Sequence, residues 1–141
     1  MSAVFRFPIR VYYEDTDASG VAYHAGYLRW FERARTEWLR ALGLQQDGLH
    51  RQHGVVFTVA HLDIAYRRPA RLDQLLEVHT RVAAMRRASL MFEQTLVDGD
   101  AETLLARAMV KVGCVDAVQF RPIALPQALF DAVARWTPAD Q

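Results

Sequence analysis

Between Tyr12 and Tyr27 the chain gathers Glu14, Asp15, Asp17 and His24 around Gly20. Three chemistries use such residues. A calcium loop of the EF-hand type would open with Asp15, Asp17, Ser19 and Gly20, but its twelfth position, a bidentate glutamate, falls on Gly26, and the incoming segment alternates like a strand. A phosphoryl-transfer pair would use Asp15 and Asp17 after an apolar strand. That chemistry needs a magnesium site and a phosphate cradle, and neither a P-loop glycine pattern nor alternating strands and helices follow. The third chemistry uses a helix start, whose unpaired N–H groups and positive partial charge polarise a carbonyl that a nucleophile attacks. A carboxylate in the preceding loop then stands beside the carbonyl carbon. Asp17, next to the flexible pair Ser19-Gly20, is the candidate, as nucleophile or as general base to water. Asp15 has the rival claim, and capping or turn formation is the competing role for both.

Strict alternation of Phe5, Phe7, Ile9, Val11 and Tyr13 with polar neighbours predicts a first strand ending near Glu14, followed by a turn over Asp15–Gly20. The period then changes. Tyr27, Trp30, Phe31, Ala34, Trp38, Ala41 and Leu42 recur at three and four, a stripe that places Trp30, Phe31 and Trp38 in a core. Arg33 with Glu37, and Glu37 with Arg40, are spaced to meet on the other face, and Gly43 is a stop signal. Gln45 to Gly54 reads as a connection with a short helical turn. Four further strands follow, around Val55–Tyr66, Val78–Val82, Leu90–Leu96 and Leu104–Cys114. Their connections at Pro69–Asp73 and Asp98–Asp100 imply an antiparallel meander. In the first of these strands the apolar parity moves from Val55, Phe57 and Val59 to Leu62, Ile64 and Tyr66, which predicts a bulge near Ala60 and His61. Leu125 to Trp136 predicts a C-terminal helix covering an outer surface. The order satisfies an α+β hotdog fold, a five-stranded antiparallel sheet wrapped around one long central helix. Its unpaired edge predicts dimerisation.

The 141 residues, 52% apolar and 23% charged, fit one domain spanning 1–141. A formal net charge of +1 offers no bulk attraction to nucleic acid. No apolar run approaches the roughly 18 residues that span a bilayer, and the first ten residues lack a signal-peptide core, so a cytoplasmic protein is expected. Cys114, the single cysteine, lies among valines and reads as core. His50, His53, His61 and His79 show no ligand spacing, so no metal site is expected. Arg86 and Arg87, at a turn, suit the phosphates of a nucleotide-bearing substrate or a solvated turn equally.

The run from Tyr13 to His24, continued by Tyr27 and Phe31-Glu32-Arg33-Ala34-Arg35-Thr36-Glu37, resembles the hotdog-fold acyl-CoA thioesterases of the 4-hydroxybenzoyl-CoA thioesterase superfamily. Its nearest branch is the YbgC-type, Tol-Pal-associated thioesterases. The likeness extends through Arg68–Asp73, Ser89-Leu90 and Cys114–Asp116 to Ala124–Pro126. It implies hydrolysis of an acyl-CoA thioester without metal or cofactor, at sites shared between the subunits of a homodimer or homotetramer. By the same resemblance Asp17 is the catalytic carboxylate. His24 stands at the helix start whose N–H polarises the carbonyl, and Tyr13 and the His24 ring line the site. Gly20, Val21, Tyr23 and Tyr27 are the implied substrate contacts, with Arg86 and Arg87 toward the CoA phosphates. Aromatic-substrate members carry another aromatic residue where this chain has His24, so a short aliphatic acyl group is expected. Two other readings fit the resemblance. One is an acyl-thioester hydratase or dehydratase of the same fold. The other is a non-catalytic acyl-binding or scaffold protein of the Tol-Pal system, peripheral to the inner membrane.

Overall fold

The computed structural model describes residues 3–136. Its elements are β1 (Phe5–Arg10), α1 (Gly26–Ala41), α2 (Gln46–His53), β2 (Val55–Tyr66), β3 (Leu75–Met85), β4 (Ser89–Asp98), β5 (Leu104–Asp116) and α3 (Gln127–Arg135). One antiparallel five-stranded sheet in the order β1-β3-β4-β5-β2 packs against α1, the α+β hotdog arrangement that the element order predicts. The α1 stripe is where the periodicity puts it. Tyr27, Trp30, Phe31, Ala34 and Trp38 are buried, with Leu39 beside them, and the Trp38 ring meets Phe92 of β4 edge-on at 5.0 Å. Gly43, in the left-handed region at φ +86°, ends the helix as its position predicts.

β1 is shorter than the alternation suggests. The Asp15 carboxylate accepts the Tyr12 N–H at 2.8 Å and winds Tyr13–Asp15 into a 3-10 turn, so the strand stops at Arg10 and Tyr13 points into solvent. The meander holds only for β3, β4 and β5. β2 pairs with β5 at the far edge of the sheet and β1 pairs with β3, so the segment between β2 and β3 crosses the sheet. Eight residues reach at most ~28 Å, enough for three strand spacings of ~4.8 Å each. Contacts with the loop before α1 and with its first turn hold the crossing in place: the Ala22 N–H donates to Ala70 O at 2.8 Å, and the Ala70 N–H to the Tyr27 hydroxyl at 2.9 Å.

The β2 register shifts between Val59 and His61, the bulge that the parity change predicts. A further shift between Leu96 and Val97 buries Leu105 and Ala106 in succession, which the alternation does not foretell. The Gln45–Gly54 connection is more ordered than its composition suggests. α2 is a helix of 8 residues, anchored by buried Leu49 and closed by Gly54 at φ +67°. On the outer face of α1, Arg40 pairs with Glu37 but Arg33 does not. α3 forms as expected, and Trp136 beyond it packs edge-on to Phe5 at 6.2 Å.

Candidate active site

The chain from Thr16 to Ala22 is a tight hairpin. Thr16 and Ala22 pair, the Asp17 N–H donates to Val21 O at 3.1 Å, and the Gly20 N–H donates to Asp17 O at 3.0 Å. Gly20 closes the turn at φ +85°, a conformation that costs a side-chain-bearing residue more. Ser19 is what the sequence reading missed here. Its N–H donates to Asp17 Oδ1 at 2.8 Å and its hydroxyl donates to the same oxygen, so the pair read as flexible is a carboxylate clamp. Oδ2 receives no hydrogen bond among the described residues and faces solvent. The Ser19 hydroxyl, then the Ser19 N–H, hold the Asp17 carboxyl below the ordinary aspartate value. Slight desolvation opposes them and the nearby His24 acts in the same direction. Asp15 is differently engaged: its carboxylate caps the 3-10 turn and its carbonyl accepts the Tyr23 N–H at 2.8 Å.

His24 precedes α1 within a turn closed by the Gly26 N–H on Tyr23 O at 2.9 Å. The helix has Ala25 at its cap position, no side-chain cap and no acidic residue in its first turn, so no side chain of its own offsets its positive end. The N–H groups of His24 and Ala25 have no acceptor among the described residues. The His24 carbonyl does have a partner, the Tyr66 hydroxyl, at 2.7 Å. The His24 ring lies 4.6 Å from Tyr23 and meets Tyr66 at 89° and 6.0 Å. Alternation marks Tyr66 only as a strand residue. Its place under the helix start depends on the β2 register, which no local pattern announces.

The remaining expected site residues divide. Val21 bridges to Arg71 at the foot of the hairpin, and Tyr23 is half exposed beside His24. Tyr27 is displaced from the expected substrate contacts. It is 3% exposed, stacked on Trp30 at 5.1 Å, with its hydroxyl taken by Ala70, and burial pushes its phenol pKa up. Tyr13 is 83% exposed; its carbonyl accepts from the Thr16 N–H and hydroxyl, and its phenol hydroxyl has no hydrogen-bond partner among the described residues. Arg86 and Arg87 are exposed at the β3–β4 turn, whereas the Asp17 loop follows the end of β1 that pairs with Leu75. The length of β3, about 33 Å at ~3.3 Å per residue, separates them within one chain. An open groove of about 250 Å³ beside the helix start is lined by Glu14, Asp15, Tyr23, Ala25, Gly26, Arg29, Trp30 and Arg33, but not by Asp17 or His24. Among the described residues no three His, Cys, Asp or Glu side chains form a group that could hold a metal ion. No described helix is long and apolar enough to cross a membrane.

An exposed carboxylate in the loop before a helix start with partnerless N–H groups suits attack on a carbonyl, and comparison with known proteins gives the family. The family model described as the thioesterase-like superfamily matches residues 11–136. The chain belongs to that superfamily. It is 49% identical over 123 residues to "Acyl-CoA thioesterase YbgC" of Haemophilus influenzae, covering 87% of this chain and 89% of that one. It is 47% identical over 128 residues to "Acyl-CoA thioester hydrolase YbgC" of Escherichia coli, covering 91% and 94%. A crystal structure described as a probable thioesterase from Bartonella henselae superposes with a TM-score of 0.81 at 37% identity, over 88% of this chain and all of that one. This thioesterase therefore carries the family's hotdog sheet and helix, and thioester hydrolysis is its chemistry.

Proposed function

We propose that this thioesterase hydrolyses acyl-CoA with a short aliphatic acyl group, using Asp17 against a carbonyl polarised at the start of α1. The observation that carries the reading is the pairing of an exposed, acidified Asp17 carboxylate with the partnerless N–H groups of His24 and Ala25. The thioester oxygen accepts from those N–H groups, and the positive helix end stabilises the charge it gains during attack. Asp17 either takes a proton from the attacking water or adds to the carbon itself, in which case water afterwards hydrolyses the anhydride to the free acid and restores the carboxylate. The C–S bond breaks as the tetrahedral intermediate collapses, and the thiolate of CoA leaves.

Support for a site shared between two copies comes from what one chain leaves unfinished. β2 is a free edge of 12 residues with Val59 and Tyr66 exposed along it, a length that invites pairing. Tyr13, Arg86 and Arg87, remote or unengaged in their own chain, are available to a neighbour's substrate, the two arginines to the CoA phosphates. A scaffold would not need the Asp17 carboxylate, whereas a hydratase would use an acid and a histidine to move a proton of the acyl chain and would form an enoyl product without releasing CoA. The test is a screen of CoA release across short, long and aromatic acyl-CoAs. Release fastest from short aliphatic substrates is expected, and absence of release from all of them would overturn the reading.

A further inference from the structure

The end of the sheet that bears the β3–β4 turn also bears a short projecting hairpin. β4 begins at Ser89, opposite Gly113, and β5 runs on past it to Asp116. The chain then reverses. Val115 bridges to Pro122, and the Asp116 N–H donates to Arg121 O at 2.9 Å. The return strand comes back beside the β3–β4 turn, where the Leu125 N–H donates to Arg87 O at 2.7 Å. Residues 117–120 form the tip.

A single carboxylate makes that tip rigid. Asp116 Oδ1 accepts the N–H groups of Val118 at 3.0 Å and Gln119 at 2.6 Å, and Oδ2 accepts that of Arg121 at 3.0 Å. These donors, Gln119 first, hold the Asp116 carboxyl below the ordinary aspartate value. The Ala117 N–H donates to Gly54 O at 2.9 Å and fastens the tip to the start of β2. What the frame displays is apolar. Val118 is 87% exposed and Phe120 is 63% exposed. Phe120 also sits in the left-handed region at φ +58°, a conformation that costs a bulky residue. Neither side chain contributes to the core, so a strained frame around two solvent-facing apolar groups points to a surface completed from outside.

The charge around the tip says what completes it. Arg121 stands at its base. The turn bearing Arg86 and Arg87 lies level with Cys114, whose N–H donates to Ala88 O at 2.8 Å, which sets it ~10 Å behind Ala117. All three arginines are exposed, and none of their guanidiniums makes a hydrogen bond or ion pair among the described residues. Asp116 is the one carboxylate of the hairpin, and Asp47 of the neighbouring α2 is paired with Arg51, so the group is net positive. Apolar side chains ahead of a basic ring match the layers of a bilayer surface. There a docked segment reaches ~5–10 Å into the acyl boundary while its cations stay among anionic headgroups.

We propose that hairpin 116–121 docks this thioesterase on an anionic phospholipid surface, with Val118 and Phe120 entering the interface and Arg121, Arg86 and Arg87 facing the headgroups. No group of the Asp17 hairpin takes part, so the inference stands apart from the choice of acyl substrate. With CoA on Arg86 and Arg87, Arg121 and the apolar pair remain for the lipid.

The experiment is flotation of the full chain with vesicles of phosphatidylcholine alone, and of phosphatidylcholine with about 30% phosphatidylglycerol. The wild type is expected to float with the anionic vesicles only and to be released at about 0.5 M salt. Phe120→Asn combined with Val118→Ser removes the apolar pair, and asparagine accepts a positive φ. That variant should keep its Tm and its acyl-CoA turnover while binding anionic vesicles about tenfold or more weakly. Arg121→Gln, which leaves every backbone bond of the hairpin in place, should weaken binding about fivefold. Equal flotation with neutral vesicles, no flotation with either kind, or binding unmoved in both variants overturns the proposal. A lower sedimentation mass of the double variant without vesicles also overturns it, because the tip would then be a contact between copies of the chain.

Discussion

The Tyr66 hydroxyl at the end of β2 donates to the His24 carbonyl at 2.7 Å, tying the free edge of the sheet to the turn from which α1 starts. In the proposed mechanism that bond orients the peptide whose N–H, that of Ala25, meets the thioester oxygen. Tyr66→Phe keeps the ring packing against Tyr27 and His24 and removes only the bond. One neutral hydrogen bond is worth about 1 kcal/mol, so kcat should fall about fivefold with KM nearly constant. Steady-state kinetics on one short acyl-CoA checks it; an unchanged kcat would show that the turn holds without Tyr66.

Asp17→Asn retains size and keeps an oxygen that can accept from Ser19, while deleting charge and basicity. The N–H groups at the helix start are untouched, so KM should move little while kcat falls roughly a hundredfold or more. His24→Ala should cost less, because the backbone donor survives. An Asp17→Asn enzyme within about threefold of wild-type kcat would transfer the role, with Asp15 next in line.

The Ser19 clamp makes a separate claim about ionisation. Two donors on Oδ1 favour the charged form, so the Asp17 pKa lies below its ordinary 3.8. A group with a depressed folded pKa contributes stability that is present above its unfolded pKa and lost as pH falls through the folded one. Ser19→Ala removes the hydroxyl, the larger cause, and should move the Asp17 carboxyl titration upward. The 13C resonance of the Asp17 carboxyl across the acid range gives the midpoint in both proteins. Equal midpoints would mean that the hydroxyl does not hold the carboxylate in solution.

Where the sequence was legible, the physics was local. The 3.6 period of Trp30, Phe31, Ala34 and Trp38 needs only a core on one side, and the parity change in β2 is a direct image of its bulge. Asp17 was legible as a residue type in a loop before a helix, but its Ser19 clamp depends on how that hairpin closes. The residues that escaped depend on partners distant in sequence. Tyr66 is 42 positions from His24, and Gln94 reaches Phe31 across 63. The meander failed for the same reason, since a connection of eight residues fits a hairpin loop or a crossing, and only the sheet decides.

Gln94 makes the energetic side of that point testable. It is fully buried and joins Arg35, Phe31 and Thr80 in one network, so Gln94→Leu strands a largely desolvated guanidinium and the Thr80 hydroxyl together. Loss of a buried partner of a charged group predicts about 2–4 kcal/mol of destabilisation, or a Tm lower by about 5–15 °C. Thr80→Val, which spares the arginine, should cost less. Thermal melts of the two variants rank them, and the reverse order would place the value of the network on the hydroxyl.

The last prediction concerns the free edge itself. Full pairing of β2 with its copy puts the two-fold axis near Ala60, an exposed bulge residue without a part in the Asp17 hairpin. Ala60→Lys therefore brings two ammonium groups together across the axis, and like charges opposed on neighbouring strands destabilise the pair. The side chain points into solvent in the separate chain, so the folded monomer should keep its Tm within a few degrees. Sedimentation at micromolar concentration should give a dimer for the wild type and a shift to monomer for the variant. Because the proposed Asp17 site draws on the neighbour's Arg86 and Arg87, turnover should fall with the dimer and recover as protein concentration rises. A fully active monomer would confine the site to one chain, and the acyl group would then have to find its pocket along the Tyr23–Arg33 groove beside its own helix start.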